Sequence, residues 1–226
     1  MRRALIVVAK EPQAGQTKTR LTPPLSPDQA AELYRNLMLD TFWLMDHVGD
    51  VQPVVAYAPD HAAPYFRSVA PPRFHLVPQR GADLGQRLDH VLSLHLNDGY
   101  DQAVVMNSDG PTLPLSYLEQ AFAKLDDPAV DVVLGPSEDG GYYLVGIKRP
   151  LGTLFNVTMS TPSVLQETLF LADRAGLMVA CLEPWYDVDV WDDISRLSRD
   201  LARIATDQGT NTRRFLDRLL SAKNNV

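Results

Sequence analysis

The sequence predicts a three-layer α/β/α fold on a mainly parallel, mixed sheet, and three observations carry that prediction. Short apolar runs rich in β-branched residues recur along the chain, among them residues 4–9, 54–58 and 104–106. Such runs make strands buried on both faces. Stretches of helical period separate them almost throughout, the alternation that gives parallel strands crossed by helices. Ser108-Asp109-Gly110-Pro111 directly follows the central run. A carboxylate therefore stands just past the C-terminal end of a buried strand, where open α/β sheets bind ligands.

Taken in order, residues 4–9 form the first strand and residues 10–25 a loop carrying Gly15, Lys10, Lys18 and Arg20. Ser26-Pro27-Asp28-Gln29 opens a long helix. Ser26 is its N-cap, Pro27 suits the first helical position and Gln29 completes a capping box. Leu33, Leu37, Leu44 and Val48 mark its buried face. Strand 54–58, a short helix 60–69 and strand 74–77 follow. A polar turn then leads into a helix with Leu84, Leu88, Val91 and Leu92 inside. After the central strand come helix 114–125, strand 131–134, a tight turn at 137–142 and strand 143–147. That short turn predicts a local antiparallel pairing. Thr161-Pro162 opens a further helix ending near Gly176. Strand 177–182, an acidic loop at 186–190 and two helices complete the chain, with a tail from Lys223 that is expected to fray.

The 226 residues suit a single domain, 1–226, and no repeat or linker interrupts them. No run approaches the ~20 apolar residues of a membrane span. The short N-terminal run leads straight into Lys10-Glu11, unlike a signal peptide, so a cytoplasmic protein without membrane insertion is expected. The net charge of −7 argues against a nucleic-acid partner. It leaves room for a phosphorylated small molecule, which needs only a local cationic site. The single Cys181 excludes an internal disulfide, and its apolar surroundings predict a buried thiol. A homodimer is expected on general frequency alone.

Four stretches could carry chemistry. In the loop after the first strand, backbone N–H groups around Gly15 could meet phosphate oxygens, with Lys18 and Arg20 adding charge-assisted hydrogen bonds. The order Gly-Lys-Ser/Thr of a P-loop is missing. Asp109 is the second, with Asp187-Val188-Asp189. A hard divalent cation takes one or two carboxylates plus substrate phosphate oxygens, and an extended Asp-x-Asp sends both carboxylates to one face. The adjacent Asp192-Asp193 reads as charge at a helix N-terminus. Third, Asp139-Gly140-Gly141-Tyr142-Tyr143 allows close backbone approach, with either tyrosine available to stack on a ring. Last, Asp83-Leu84-Gly85-Gln86-Arg87 starts a helix that could face a base or phosphate. The five histidines show no ligand spacing and read as structural or surface residues.

These pieces together resemble a known bacterial family. The order is Lys10-x-Pro-x-x-Gly15-x-x-Lys18-Thr-Arg20-Leu, Asp83-Leu-Gly85-x-Arg87, Ser108-Asp109-Gly-Pro, Leu134-Gly-Pro-x-x-Asp139-Gly-Gly-Tyr-Tyr-Leu-x-Gly146 and Asp187-Val-Asp189. The pattern, over roughly residues 3–200, is similar to the rSAM/selenodomain-associated transferase 1 family, DUF2064. That family belongs to the nucleotide-diphospho-sugar transferase superfamily, with the GT-A fold. Two segments depart from it: Ser108-Asp109-Gly110-Pro111 replaces the usual Thr-Asp-Cys-Pro, and Met159-Ser160-Thr161 the usual Trp-Ser-Thr.

The resemblance implies a transferase dependent on Mg²⁺ or Mn²⁺ and a nucleotide or nucleotide sugar. Asp109, Lys18 and Asp139 are its expected catalytic residues. Lys10, Gly15, Lys18, Arg20, Gly85 and Ser108 would bind nucleotide, and Gly140, Gly141, Tyr142, Ser160 and Thr161 a small-molecule acceptor. Asp109 would hold the metal with Asp189 or Asp187. A glycosyltransferase is the leading expectation. The cationic strand-one loop also resembles that of the superfamily's nucleotidyltransferases, including the phospholactate guanylyltransferase branch. A nucleotide-binding protein without turnover is the third reading.

Overall fold

The computed structural model describes residues 1–205 and 207–223. Over these residues the chain forms one seven-stranded sheet: β1 (Arg3–Lys10), β2 (Gln52–Ala58), β3 (His75–Pro78), β4 (Gln102–Met106), β5 (Val132–Pro136), β6 (Tyr142–Ile147) and β7 (Val179–Cys181). The spatial order is β3-β2-β1-β4-β6-β5-β7. All pairings are parallel except those of β6, which runs antiparallel to both β4 and β5. The three-layer α/β prediction and the local reversal at the 137–142 turn both hold.

Helices α1 (Pro27–Asp46), α2 (Ala63–Val69) and α4 (Leu115–Asp126) supply one apolar layer. There Phe42, Phe66 and Phe122 pack with Leu5, Val7 and Val104. Helices α3 (Leu84–Asn97) and α5 (Val164–Arg174) supply the other, where Leu88, Leu92 and Ala172 pack with Ala4, Ile6 and Val105. Alternate residues of β1 and β4 thus enter opposite layers, as a strand covered on both faces requires. A third cluster joins α1 to α6 (Trp191–Leu201) and α7 (Thr210–Lys223) through Leu33, Leu37, Ile194, Leu197 and Phe215.

The capping box forms as predicted: Gln29 N–H donates to Ser26 Oγ at 3.1 Å, and Ser26 N–H to Gln29 Oε1 at 2.9 Å. Several expectations need correction. Leu84, expected inside, is 38% exposed, because it is the first residue of α3 and the buried stripe starts at Gly85 and Leu88. Cys181 is exposed. It is the last residue of the short edge strand β7, whose other residues, Val179 and Ala180, are only partly buried themselves. The helix expected at Thr161-Pro162 starts at Val164, since Thr161 Oγ1 donates to the carbonyl of Thr158 in the preceding turn. Residues 60–62 form a 3-10 turn ahead of α2. The tail expected to fray lies beyond Lys223, outside the described residues. Among those described, no helix is long and apolar enough to cross a membrane.

Candidate active site

The C-terminal edge of the parallel strands opens into a cavity of about 770 Å³. Its floor is a cluster of three carboxylates and one ammonium. β4 delivers the first carboxylate. Beyond Met106 the ladder continues for one bond, Asn107 N–H to Tyr143 O at 3.0 Å, and then Ser108 and Asp109 turn into the opening. The loop after β1 delivers the ammonium. Thr17 is anchored by N–H and Oγ1 to the carbonyl of Gln13. Lys18 then takes the left-handed conformation (φ 49°, ψ 41°) before a 3-10 turn over Thr19–Leu21, whose Leu21 is fully buried. This sharp reversal turns the Lys18 side chain inward, leaving it 8% exposed. Its Nζ donates to Asp109 Oδ2 at 2.5 Å and to Asp189 Oδ1 at 2.7 Å.

The Asp187-Val188-Asp189 segment runs as predicted, with Val188 buried and both carboxylates in the cavity. Asp187 Oδ2 accepts from Ser137 Oγ at 3.0 Å and Asn107 Nδ2 at 3.4 Å. Asp189 also faces Arg20 at 3.5 Å. Asp193 holds the segment in place by accepting the N–H groups of Asp189 and Val190, each at 2.8 Å. It thereby caps α6, the role expected for charge at that helix start.

These contacts fix the protonation pattern. Burial, and then the charge of Asp109, push the carboxyl of Asp187 up to about 7. Burial alone would raise Asp189 as well, but Lys18 and then Arg20 override it and hold that carboxyl below its ordinary value. Burial likewise works against the Lys18 ammonium, and Asp109 and Asp189 together keep it firmly charged.

A divalent cation is compatible with this donor set. Asp109 Oδ1 is buried with no hydrogen-bond partner, and Asp187 and Asp189 line the same cavity beside it. Among the described residues, no three acidic, histidine or cysteine side chains converge closely enough to hold a metal by themselves. That suits an ion taking one or two carboxylates here and its other oxygens from a phosphorylated ligand.

On the far side of the cavity, two loops are locked together. Asp139 Oδ1 accepts Gly141 N–H at 3.0 Å, and Leu165 N–H donates to Gly140 O at 2.9 Å. Gly140 has φ +92°, and a Cβ there would lie 2.0 Å from Pro162 O. Ser160 is held at φ +64°, a left-handed conformation that is uncommon for a non-glycine residue. The two tyrosines separate: Tyr142 lines the cavity, while Tyr143 is buried with its hydroxyl on Glu183 O.

Lys10, Lys18, Arg20, Ser108, Asp109, Asp139, Gly141, Tyr142, Ser160, Thr161, Asp187 and Asp189 thus meet around one cavity. Gly15, Gly85 and Gly140 shape it without lining it. Gly15 makes a turn at φ +74°. Gly85 lets α3 approach the backbone of Phe155, whose oxygen would lie 2.5 Å from a Cβ. Tyr34 is an addition that motif spacing did not reveal. From α1, its hydroxyl accepts Lys10 N–H at 3.1 Å and meets Ser108 Oγ at 2.8 Å, joining the end of β1 to the loop after β4. Its only sequence signal is a phenol on the buried stripe of α1, which must find a polar partner. Gln79, Arg87 and Asn107 also line the cavity.

Comparison with known proteins agrees with this architecture. A family model described as "Uncharacterized protein conserved in bacteria (DUF2064)" matches residues 44–161. A solved structure described as a "putative nucleotide-diphospho-sugar transferase" from Desulfovibrio desulfuricans G20 is 30% identical and superposes with a TM-score of 0.89, covering 96% of this chain and 95% of that one. More distant folds include a CMP:2-keto-3-deoxy-manno-octonic acid synthetase complexed with CTP (14% identity, TM-score 0.59, 90% and 99% covered). A cytidylyltransferase from Leptospira borgpetersenii is similar at the same level (10%, 0.60, 98% and 96%). Those two likenesses concern the fold alone. No functionally curated protein matches the sequence.

Proposed function

Since the chain belongs to the DUF2064 family, we propose that it is a transferase acting on a nucleotide-activated donor, and specifically a glycosyltransferase using a nucleotide sugar. The observation that carries this reading is the meeting of Lys18, from the loop after β1, with Asp109 and Asp189 on the floor of one cavity at the C-terminal sheet edge. A cationic loop facing carboxylates there provides the two things a diphosphate needs, direct cationic contacts and a seat for a divalent ion.

On this reading the base and ribose lie over the loops after β1 and β3. The diphosphate lies over Lys18 and Arg20, and the acceptor over Asp139, Gly141, Tyr142, Ser160 and Thr161. Asp109, with Asp189 or Asp187, would hold Mg²⁺ or Mn²⁺, which when bound supplies Lewis-acid neutralisation of diphosphate oxygens. Arg20 stands at the rim with its side chain 70% exposed and closes on the phosphates as a charge-assisted donor. Lys18 is fixed before ligand arrives, so its charge needs no reorganisation as charge builds on the departing phosphate. The Tyr34 hydroxyl keeps the β1 and β4 loops in register, and so sets the distance between phosphate-binding and carboxylate groups.

A second reading, nucleotidyl transfer from a nucleoside triphosphate, draws support from the cations of the cavity, Lys10, Lys18, Arg20 and Arg87. The deciding experiment is thermal stability against a panel of nucleotides and nucleotide sugars, with and without Mg²⁺ or Mn²⁺, followed by product analysis. A ligand at a hundredfold excess over its dissociation constant adds about 2.7 kcal/mol of stability. Glycosyl transfer predicts a metal-dependent shift with a diphosphate sugar and release of a nucleoside diphosphate. A shift confined to triphosphates, with pyrophosphate release, would replace it with the second reading. A nucleotide-binding protein without turnover would keep its ligand affinity in Asp109→Ala, whereas the transferase loses metal-dependent turnover.

A further inference from the structure

The order of strands sorts the charges around the cavity. The loops after β3, β2 and β1 lie on one side of Asp109, and the segments joined to β6, β5 and β7 on the other. Among the described residues, the cations lining the cavity are Lys10, Lys18, Arg20 and Arg87. All belong to the first side: Lys10 ends β1, Lys18 and Arg20 come from the loop after it, and Arg87 is tied by its Nε to Gly81 O in the turn after β3. The second wall is made by Asp139, Tyr142, Met159, Ser160, Thr161 and Val164. The acidic groups on this side are Asp139 and, on the segment that follows β7, Asp187 and Asp189. Of the cations borne by neighbouring segments, Lys148 is engaged on Asp127 O, Arg149 on Asp131, and Arg196 on both oxygens of Glu138.

An acceptor bearing phosphate or carboxylate would meet these carboxylates on this side, where the adjoining cations Lys18 and Arg20 already face Asp109 and Asp189. Hydroxyls and apolar atoms fit it better. Ser160 offers a hydroxyl, that of Thr161 being already donated to Thr158 O, and Tyr142 and Met159 pack with hydroxyl and sulfur 3.9 Å apart. Asp139 Oδ1 is fixed by Gly141 N–H, and its second oxygen has no hydrogen bond among the described residues.

We propose that the acceptor is an uncharged, hydroxyl-bearing molecule of the sugar or polyol class, bound with an apolar face against Tyr142 and Met159, and that Asp139 takes its proton. The proposal rests on the glycosyl-transfer reading and adds the acceptor to it. In the step it describes, the acceptor oxygen forms a bond to the anomeric carbon of the nucleotide sugar. The bond from that carbon to the phosphate oxygen breaks, its electron pair leaves with the nucleoside diphosphate, and the acceptor proton passes to the Asp139 carboxylate.

The test uses the full chain and the nucleotide sugar giving the largest metal-dependent thermal shift. Nucleoside diphosphate release is followed with methyl and octyl glycosides or glycerol, and separately with glucose 6-phosphate or glycerol 3-phosphate. The neutral compounds are expected to raise release at least tenfold and to yield a glycosylated product, while the phosphorylated ones change it less than twofold. Asp139→Asn is expected to lose at least tenfold of the stimulated release with the donor dissociation constant unchanged within twofold. Thr161→Lys is expected to bring the phosphorylated compounds into use. Stimulation by the phosphorylated compounds alone, equal stimulation by both classes, or none by either overturns the acceptor assignment. A protein that no nucleotide sugar stabilises fails one level earlier, at the transferase reading itself.

Discussion

Lys18 Nζ lies 2.5 Å from Asp109 Oδ2, across 91 residues of sequence, and the same ammonium reaches Asp189 Oδ1 at 2.7 Å. One buried cation therefore balances two carboxylates that belong to loops after different strands. Removing it leaves those charges uncompensated, which costs about 3–5 kcal/mol for a buried pair. Lys18→Met should lose stability of that order in urea denaturation with EDTA present. Because the lost charge sat where a cation is wanted, Mn²⁺ should restore a large part of it, and should bind the variant more tightly than the parent without nucleotide. Equal stability of the two proteins in EDTA would refute this account of the pair.

Tyr34 gives a second prediction. Its hydroxyl satisfies Lys10 N–H and Ser108 Oγ together. Tyr34→Phe keeps the ring and removes that bridge, leaving a backbone donor and a hydroxyl without their partner, at about 1–3 kcal/mol. Chemical denaturation measures that loss. Nucleotide affinity should fall with it, since the loops on either side of the ligand are no longer tied. A variant that is destabilised yet binds nucleotide as tightly as the parent would show that the bridge serves folding alone.

How far the sequence reaches follows from the range of each interaction. The runs in β1 and β4 and the Ser26–Gln29 box depend on near neighbours, so composition and spacing locate them. The common face of Asp187 and Asp189 is also local, because extended backbone alternates. Asp109 is legible because its place at a strand end implies an opening. What pairs it with Lys18 is the left-handed turn at Lys18, and no spacing rule reports that. Asp40 is the clearest illegible case. It sits 1% exposed within α1 and accepts Asn211 N–H, Asn211 Nδ2 and Thr212 N–H. Its partners are 171 and 172 residues away, at the start of α7. Cys181 and Leu84 are exposed for a related reason: one is the last residue of an edge strand and the other the first of a helix, where the apolar pattern continues but the covering layer does not.

A third prediction concerns pH. An aspartate in an unfolded chain ionises near 3.9, whereas burial and Asp109 push Asp187 up to about 7 in the folded protein. Between these values the folded state holds a proton that the unfolded state has released. The contribution of Asp187 to stability is therefore full below about pH 4 and is lost as pH rises towards 7. Asp187→Asn keeps the acceptor for Ser137 and Asn107 but cannot ionise. In EDTA, the stability difference between variant and parent should grow in the variant's favour from pH 4.5 to 7.5, by roughly 2–4 kcal/mol. A difference that does not change with pH would mean that Asp187 ionises normally.

The last prediction separates the two sides of the cavity. Gly140 adopts φ +92°, and a Cβ there would lie 2.0 Å from Pro162 O and 2.7 Å from its carbonyl carbon. Both obstacles are backbone, so no rotamer change relieves them. Gly140→Ala must therefore push the Asp139–Tyr142 turn away from the segment leading into α5 and break the Leu165 N–H to Gly140 O bond, at about 2–4 kcal/mol. Lys18, Asp109 and Asp189 belong to other loops and keep their contacts. The variant should melt earlier but still gain the full metal-dependent shift from its nucleotide ligand, while transfer to acceptor falls at least tenfold. If nucleotide binding were lost in proportion to transfer, the two locked loops would belong to the nucleotide site, and the division of the cavity into donor and acceptor sides would have to be redrawn.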